Sequence, residues 1–558
     1  MITAVHTGQI PLAKMAVLLA LGISIHRVAA LDTVLSLSYA GLILICSVLI
    51  YYWVPFYWKT PILMFLILST GFFISGIKES SFSNLRLSET LLSRALDIEI
   101  EVEEIRKYDK SRAIIGSITA VKREYRKSPR IILFGKNEDT DLKQLKRGSH
   151  ISSRLKLAVI GNSENQKFEA YNSYLIDQGI IYRGFINQGQ YEVSNIRKYP
   201  WWKYIRYDAR EWALNTLDTY LDGESNAITK ALLLGDKSDL NKETREKYAH
   251  SGIIHILAVS GLHVGFIVMF LLAIFRTVFF KLGPFSWTQV GFVSIALLAY
   301  VEISGGAPPV RRAVIMAILY LFAKALRKQF SPINILGFAA ILLLCVAPNE
   351  LFTVSFQLSF AAVGGIILFM PYFMSLCSYE NRHVRKLWGI ISIGIAAQIS
   401  TFPITFYYFN QVPIFSAIAG VVAIPVAGFA LCNGACILVF GSFSESIGFF
   451  LASLQSFLIY ILNGVALLFS NISFSVWDNV TLLPIEAMLL IGAILAIAFF
   501  LNTKRSTALV FASFLILVQA GLHTSNVVFK NGEETIGLFS KQSEDRDRQR
   551  IVEMESNE

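Results

Sequence analysis

The sequence has few charged residues and few cysteines. Only 16% of its 558 residues are charged, whereas 54% are hydrophobic and the mean hydropathy is +0.53. A soluble protein usually has about a quarter of its residues charged. This scarcity of charge excludes the soluble and disordered classes, and five cysteines are too few for a disulfide scaffold. Apolar runs of about 20 residues recur along most of the chain, which indicates a membrane protein.

The sequence also lacks the short motifs of common catalytic and metal sites. Its eight histidines form no HxHxD or HExxH pattern, and no CxxC pair, P-loop or GxSxG motif is present. We therefore expect no catalytic residues, no metal site and no cofactor, so the protein is not expected to be an enzyme. A protein of this kind that moves DNA or a solute must take its driving force from a partner or a gradient.

The first 77 residues contain three apolar stretches of spanning length, at residues 11–25, 34–54 and 61–77. The first stretch resembles a signal peptide in length. However, His26 and Arg27 occupy its cleavage region, and a second full-length span follows directly, so we expect three transmembrane helices rather than a cleaved leader.

Residues 78–200 are polar and rich in strand patterns. Apolar and charged residues alternate from Asp97 to Glu103, which is typical of a half-buried strand. The other predicted strands are residues 112–121, 130–134, 151–160 and 180–186. Five short strands in about a hundred residues favour a small β-barrel or sandwich.

The rest of the chain divides into three parts. Residues 201–250 begin with an amphipathic helix over 201–221, and two interpretations stay open, a helix in the membrane interface or a helix packed on the β domain. Residues 251–522 are almost wholly apolar and are predicted to hold about ten spans. Residues 523–558 form a polar, acidic tail.

The charges of the short loops predict the orientation, because positive residues stay on the cytoplasmic side. With a cytoplasmic N-terminus, the basic loop residues fall inside and the β domain falls outside. The inside residues are Lys59, Arg276, Lys281, Arg327, Lys328, Arg382, Arg385, Lys386, Lys504 and Arg505, and the outside residues are Glu302, Glu350 and Asp478.

The β domain contains a strongly basic segment. Between residues 106 and 156 there are fifteen basic and five acidic residues, an excess of ten that equals the formal net charge of the whole chain. A basic β domain can bind a phosphate backbone, although contact with anionic lipid head groups is an open alternative. The candidate DNA-binding residues are Lys122, Arg123, Arg126, Lys127, Arg130, Lys146 and Arg147.

The apolar region contains a few polar groups, each costly in a bilayer unless it is paired or hydrated. The densest group is His255, Ser260, Gly261 and His263. On a continuous helix Ser260 and His263 would share a face, with His255 about two turns earlier. They could line a polar path or serve only as hydrogen bonds between helices.

Five further residues are candidates for the same polar path: Arg311, Arg312, Gln357, Ser359 and Gln398. We expect Arg312 to attract phosphate, because few other cations lie within the spans. The alternative is that both arginines extend to the membrane interface and anchor the helix there.

Several of these motifs together resemble the ComEC family of bacterial competence proteins. They are Ala231–Leu240, His255–His263, Pro309–Met316, Ser355–Phe360 and Ala397–Pro403. A stretch at Ala423–Val426 is similar too, although Gly420 stands where the family pattern leads us to expect asparagine. The resemblance covers residues 225–500, and more weakly the first spans and the β domain.

The resemblance implies a multi-pass protein of the bacterial cytoplasmic membrane. It implies a channel that passes single-stranded DNA into the cytoplasm, with an extracytoplasmic OB-like β-barrel that handles incoming DNA. The implied partners are single-stranded DNA, membrane lipid, a DNA receptor, a separate cytoplasmic ATPase or helicase, and another copy of the chain. Many relatives carry a C-terminal metallo-β-lactamase-like domain, but only about 36 residues follow Leu522, so we expect a separate nuclease.

Two other functions remain open from the residues alone. A transporter or flippase for another anionic solute or lipid-linked substrate would need an occluded site near the membrane midplane. A membrane-embedded hydrolase would need a nucleophile and a base. Ser260 and His263 could imitate such a pair, but no carboxylate lies near them in the sequence to orient them.

Overall fold

The computed structural model describes most of the chain. The described residues are 11–29, 56–83, 94–107, 111–121, 124–125, 129–136, 142, 145, 148–161, 172, 175–176, 178–187, 189, 191–194, 201–278, 286–327, 330–377, 381–472, 474–478 and 482–524. The predicted span at 34–54 and nearly all of the polar tail lie outside them.

The protein is mostly helical, with a sheet near its N-terminus. The helices are α1 (Pro11–Ala29), α2 (Phe56–Ser83), α3 (Trp201–Tyr220), α4 (Gly223–Leu234), α5 (Lys242–His250), α6 (Gly261–Val278), α7 (Trp287–Ile303), α8 (Pro308–Ala325), α9 (Pro332–Val346), α10 (Val354–Ser375), α11 (Arg382–Phe409), α12 (Ser416–Gly441), α13 (Glu445–Ser470), α14 (Pro484–Thr503) and α15 (Ser506–Thr524). Two 3₁₀ turns occupy Ile254–Leu257 and Pro348–Phe352.

Among the described residues, nine helices are long and apolar enough to cross a membrane: α1, α2, α6 and α10–α15. Helices α7 and α9 are apolar but shorter. The lengths follow from a rise of 1.5 Å per residue against a hydrocarbon core of about 30 Å. The prediction of a multi-pass membrane protein is confirmed.

The strands are β1 (Leu96–Lys107), β2 (Ser111–Val121), β3 (Glu124–Tyr125), β4 (Arg130–Lys136), β5 (His150–Leu155), β6 (Ala158–Val159), β7 (Ile180–Phe185), β8 (Tyr191–Ser194), β9 (Gln411–Pro413) and β10 (Val476–Asp478). The first eight form one sheet in the order β6-β7-β4-β2-β1-β5-β8, with β3 paired to β2. β4 and β7 are parallel, and the other pairs of this sheet are antiparallel.

The sheet differs from the predicted barrel. Its two ends, β6 and β8, do not pair within the described part of the chain, so no closed barrel is found there. The predicted strand at 151–160 is two strands, β5 and β6, and β3 and β8 were not predicted. Closure requires two edge strands that pair along their lengths, whereas β6 has two residues and β8 has four.

The described residues form two compact units. The described residues of one unit fall within His6–Phe360 and Ile418–Ser475, and those of the other fall within Ala361–Ala417 and Val476–Glu558. The first unit contains the sheet, α1–α9, the start of α10, α12 and α13. The second contains α11, α14, α15 and the short β9–β10 pair.

Helix α3 confirms the amphipathic helix predicted over 201–221, but its buried face packs on other helices. Ala213, Leu217 and Leu221 belong to the same apolar core as Val290 and Leu297 of α7. The packing partner is therefore a membrane-domain helix rather than the sheet. Whether the opposite face of α3 lies in the membrane interface stays a prediction.

The close contact of α1 and α2 depends on two glycines. A Cβ atom on Gly22 would overlap the carbonyl of Leu68, and one on Gly71 would overlap the carbonyl of Leu19. Small residues at such a crossing allow two helix backbones to approach each other inside a membrane.

We expect Gly22→Ala and Gly71→Ala each to destabilise the protein by about 1–3 kcal/mol, because the new methyl group would force the backbones apart. Thermal unfolding of detergent-solubilised protein measures the effect. Gly464→Ala is the matched control, since nothing lies within 4 Å of a Cβ atom there. Equal unfolding temperatures for all three variants would contradict the proposed contact.

Candidate functional site

The candidate site begins at the C-terminal end of α4. This helix stops at Gly235, whose φ of +68° is the left-handed conformation that glycine adopts without strain. The last carbonyls of a helix lack partners within the helix. Here the hydroxyl of Tyr300 donates to the carbonyl of Leu233 at 3.0 Å, and Arg210 donates to that of Leu234 at 2.8 Å.

Arg210 joins three helices at this point. Its side chain is buried, and it also donates to the carbonyl of Ile303 at 2.7 Å, the last residue of α7. The carboxylate of Asp236 lies 3.7 Å from the guanidinium. Arg210 therefore connects α3 to the ends of α4 and α7.

His255, Ser260 and His263 do not lie on one continuous helix. His255 is in the 3₁₀ turn Ile254–Leu257, residues 258–260 are not helical, and α6 begins at Gly261. The expectation of a shared helical face was therefore wrong. The reason is local, because Ser260 caps α6: its carbonyl accepts from the N–H of Val264 at 3.3 Å.

The side chain of His263 completes this cap. Its Nδ1 atom accepts from the backbone N–H of Ser260 at 2.9 Å and lies 3.0 Å from the Ser260 hydroxyl. Because a backbone N–H can only donate, the neutral ring carries its hydrogen on Nε2. His263 is 1% exposed, and its Nε2 atom has no hydrogen-bond partner among the described residues.

The other members of this predicted group lie close by. His255 is exposed, and its Nδ1 atom lies 3.1 Å from the carbonyl of Gly252. A Cβ atom on Gly261 would lie 3.8 Å from the side chain of Ala313 in α8. The start of α6 is therefore beside the first turns of α8, where the two candidate arginines are found.

Arg311 and Arg312 share one carboxylate but differ in exposure. Arg312 is 1% exposed, and it donates to Glu350 at 3.0 Å and to the carbonyl of Ser355 at 2.7 Å. The side chain of Arg311 is 53% exposed and lies 3.7 Å from Glu350. Arg312 is thus enclosed and paired instead of extended toward an interface, whereas Arg311 presents an accessible guanidinium.

The three candidate amide and hydroxyl residues are not brought together by the described contacts. Gln357 donates to the carbonyl of Leu351 at 3.3 Å, and Ser359 is half-buried in α10. Gln398 belongs to the second compact unit, where it donates to the carbonyl of Pro413 at 2.8 Å and so connects α11 to β9. Their assignment to a polar path stays a prediction.

A buried polar network that the sequence did not predict joins α4 to α12 and α13. Gln455 is fully buried, donates to the hydroxyl of Thr229 at 3.0 Å and accepts from Asn433 at 2.9 Å. Gln455 was not among the polar residues singled out from the sequence. Its isolation among apolar residues of a spanning helix was a usable signal.

Lys230 is a second residue that sequence reasoning missed. Its ammonium lies 2.6 Å from Asp218 and 3.1 Å from Asp239, and the side chain is 8% exposed. Burial alone would lower the pKa of Lys230, but the hydrogen bonds to the two carboxylates and their charge outweigh burial, so the pKa is raised. Lys230 therefore stays charged and holds α4 to its neighbours.

Of the predicted DNA-binding residues, only Arg130 is described. It pairs with Glu103 at 2.8 Å and donates to the carbonyl of Gln178 at 2.7 Å. Lys122, Arg123, Arg126, Lys127, Lys146 and Arg147 lie outside the described residues. Arg130 thus stabilises the sheet domain, and the role of all seven residues in DNA binding stays a prediction.

No group of three histidine, cysteine, aspartate or glutamate side chains in the described part of the chain could hold a metal ion. The described contacts of these residues are hydrogen bonds and ion pairs. Fold and polar groups together define a multi-pass helical membrane protein with a polar junction at the ends of α4, α6, α7 and α8, and with a β-sheet near its N-terminus.

Comparison with known proteins identifies the family. Residues 232–505 match the family model described as Competence protein. The chain is 29% identical over 266 residues to ComE operon protein 3 of Bacillus subtilis, which covers 48% of this chain and 32% of that protein. The resemblance to the ComEC family that the sequence motifs indicated is confirmed, and residues 232–505 carry the competence domain of that family.

Two other relatives match over comparable lengths. Recombination protein 2 of Haemophilus influenzae is 29% identical over 211 residues, covering 36% of this chain and 26% of that protein. An uncharacterized protein of Aquifex aeolicus is 28% identical over 276 residues, covering 49% of this chain and 61% of the relative. The chain thus spans less than two thirds of each of these relatives. No solved structure matches it.

Proposed function

We propose that the protein carries single-stranded DNA across the bacterial cytoplasmic membrane during competence, and that its helical domain forms the channel. The observation that carries this proposal is the match of residues 232–505 to the competence family. The nine candidate spans agree with a membrane channel. This family membership does not favour the alternative of a transporter or flippase for another substrate.

The proposed orientation follows the loop charges. The N-terminus is cytoplasmic, and the sheet domain is extracytoplasmic, OB-like in function, and the first part to meet DNA. The proposed partners are a DNA receptor, a cytoplasmic ATPase or helicase, a nuclease that acts on the other strand, lipid, and a second copy of the chain. Because no ATP-binding motif is present in the sequence, the driving force comes from such a partner or from a gradient.

The polar junction is the proposed contact with DNA in the helical domain. A buried donor without a protein partner costs about 1–3 kcal/mol, and the Nε2–H of His263 has none in the part of the chain that the structure describes. This cost is accounted for if Nε2 meets water or a DNA acceptor during transport. The exposed guanidinium of Arg311 supplies positive charge on α8, the helix whose first turns lie beside the start of α6.

The function is tested by deleting the protein and measuring transformation separately from DNA binding at the cell surface. We expect transformation to be lost while surface binding is kept. Normal transformation of the deletion strain would reject the proposal.

His263 is tested by two substitutions that each keep a different half of the ring. Asparagine places an oxygen near the Nδ1 position and preserves the cap, whereas glutamine places an N–H group near the Nε2 position. We expect His263→Asn to lower DNA uptake about tenfold and His263→Gln to lower it less, because only glutamine keeps the donor. Uptake is compared at equal protein levels in the membrane.

His250→Asn is the matched control, because His250 is exposed at the end of α5. Wild-type uptake by His263→Asn would show that His263 acts only through the Ser260 cap.

A further inference from the structure

The sheet domain presents a pair of phenylalanine rings on one face. Strands β4 and β7 are parallel neighbours, and their register places Phe134 directly beside Phe185. The ring centroids are 5.8 Å apart with an interplanar angle of 33°. Side chains alternate between the two faces of a strand. Ile132 and Arg183, paired two residues earlier, therefore lie on the same face of the sheet as the two rings.

The two rings have different environments. Phe134 packs on a buried apolar cluster that includes Ala113, Ile115 and Ile132, which supports its ring. Phe185 is 69% exposed. Phe134 thus anchors the pair while Phe185 offers a ring surface to solvent. Single exposed apolar residues are common on protein surfaces, so the residues around Phe185 determine what its ring can bind.

Cations without partners flank this pair. By alternation Lys136 shares the face of Phe134, and Arg183 shares the face of Phe185. Both side chains are exposed and have no ion pair or hydrogen bond among the described residues. Lys156 lies two residues before the edge strand β6, which pairs with β7, and is also exposed.

Other described arginines of the sheet are engaged elsewhere. Arg106 pairs with Glu104 at 2.8 Å, Arg112 donates to the carbonyl of Leu142 at 2.8 Å, and Arg130 pairs with Glu103. Glu104 pairs with Ile115 across β1 and β2, so it lies on the same face of the sheet as Ile115. Its charge is neutralised by Arg106. Among the described residues of the sheet, Lys136 and Arg183 thus provide positive charge beside the aromatic pair.

We propose that Phe134, Lys136, Arg183 and Phe185 form a base-stacking subsite for single-stranded nucleic acid. One base stacks on the exposed ring of Phe185, which Phe134 supports, and Lys136 and Arg183 contact the adjacent phosphates. Stacking on an aromatic ring tolerates every base, and cations on both sides hold the backbone without reading sequence. This inference rests on the proposed function, because it assigns the residues by which the sheet domain binds its substrate.

Anionic lipid is the competing occupant, because an exposed phenylalanine with flanking cations also suits a membrane surface. The ring pair favours nucleic acid. A lipid surface needs only apolar area, whereas a rigid ring supported from behind is suited to a flat base.

The experiment uses the full chain in detergent and measures binding of two probes, a thymidine oligonucleotide and an abasic oligonucleotide of the same length. We expect Phe185→Ala to weaken thymidine binding about tenfold while abasic binding is unchanged, because only stacking is lost. Arg183→Gln and Lys136→Gln should weaken both probes and lower the salt dependence by about 0.7 per residue in the logarithmic slope. Phe185→Tyr should restore thymidine binding.

Two variants serve as controls. Arg130→Gln removes a cation that is already paired, and Val159→Ala removes an exposed apolar side chain on the adjacent strand β6. Both should bind the probes as wild type does. Unchanged thymidine binding by Phe185→Ala would overturn the subsite, as would equal losses for Phe185→Ala and Val159→Ala.

Binding to vesicles of anionic lipid is measured with the same variants. Loss of vesicle binding by Phe185→Ala with intact thymidine binding would assign the surface to lipid and overturn the proposal. A wild-type protein that binds neither probe would also overturn it. The deletion experiment remains a separate test, because transformation can depend on the protein even when this subsite is absent.

Discussion

Glu350→Ala is expected to destabilise the helical domain by about 3–5 kcal/mol, the usual cost of removing one partner of a buried ion pair. Arg312 is 1% exposed and has Glu350 as its carboxylate partner at 3.0 Å. Arg312 also donates to the carbonyl of Ser355, which carries no charge. Without Glu350 the guanidinium would be a buried charge with no counter-charge close to it among the described residues.

A double-mutant cycle separates the free energy of the ion pair from the effect of losing each side chain alone. Arg312→Met combined with Glu350→Leu removes both charges, so it should cost much less than Glu350→Ala alone. Thermal unfolding in detergent and the protein level in the membrane are the measurements. A double variant as unstable as the single one would show that the ion pair is not the source of the loss.

Arg311→Gln is the matched control, because Arg311 is the adjacent residue, binds the same carboxylate from 3.7 Å and is 53% exposed. It should change stability by at most about 1 kcal/mol. The sequence alone favoured Arg312 as the phosphate contact. The contacts of the two side chains lead to a different expectation. Arg312→Gln should lower DNA uptake because less protein folds. Arg311→Gln should lower DNA uptake although the amount of folded protein is unchanged.

Arg210→Met is expected to cost about 3–5 kcal/mol as well. The substitution keeps an apolar stem but leaves the carbonyls of Leu234 and Ile303 without their donor, at about 1–3 kcal/mol for each buried group. Asp236 loses its nearby positive charge in addition. The ends of α4 and α7 would no longer be held together.

This loss should also lower DNA uptake, because Gly235 at the end of α4 lies against Val259, which precedes the Ser260 cap. Unfolding temperature and transformation are measured on the same variant. Arg245→Gln is the control, since Arg245 is exposed and makes a single hydrogen bond to the carbonyl of Lys237. If the two variants unfold at the same temperature, Arg210 is not a structural connection.

Much of the local structure could be predicted from the chain. The alternation from Asp97 to Glu103 predicted β1, and strong apolar runs predicted the spanning helices, because both signals depend on residues close together in the sequence. The break before α6 was missed. Residues 255–263 are apolar enough for a helix, and only the cap formed by Ser260 and His263 shows that the helix begins at Gly261.

The partners of the buried polar groups could not be predicted. Gln455 binds Thr229, 226 positions earlier in the chain, and Arg210 binds the carbonyl of Ile303, 93 positions later. No periodicity relates residues at such distances. The basic segment from 106 to 156 has the same limitation, because its sequence reveals the excess charge but not that Arg130 is already paired with Glu103.

The sequence by itself determined that this is a membrane protein with a domain of the competence family and a strand-rich segment near its N-terminus. Those properties follow from hydropathy, alternation and contiguous motifs, which act locally. Only the tertiary structure decided that Arg312 is enclosed while Arg311 is accessible, that the Nε2 atom of His263 is buried without a partner among the described residues, and that Phe134 supports Phe185. A polar or aromatic side chain acquires its role from what it contacts, and those contacts come from segments that are distant in the chain.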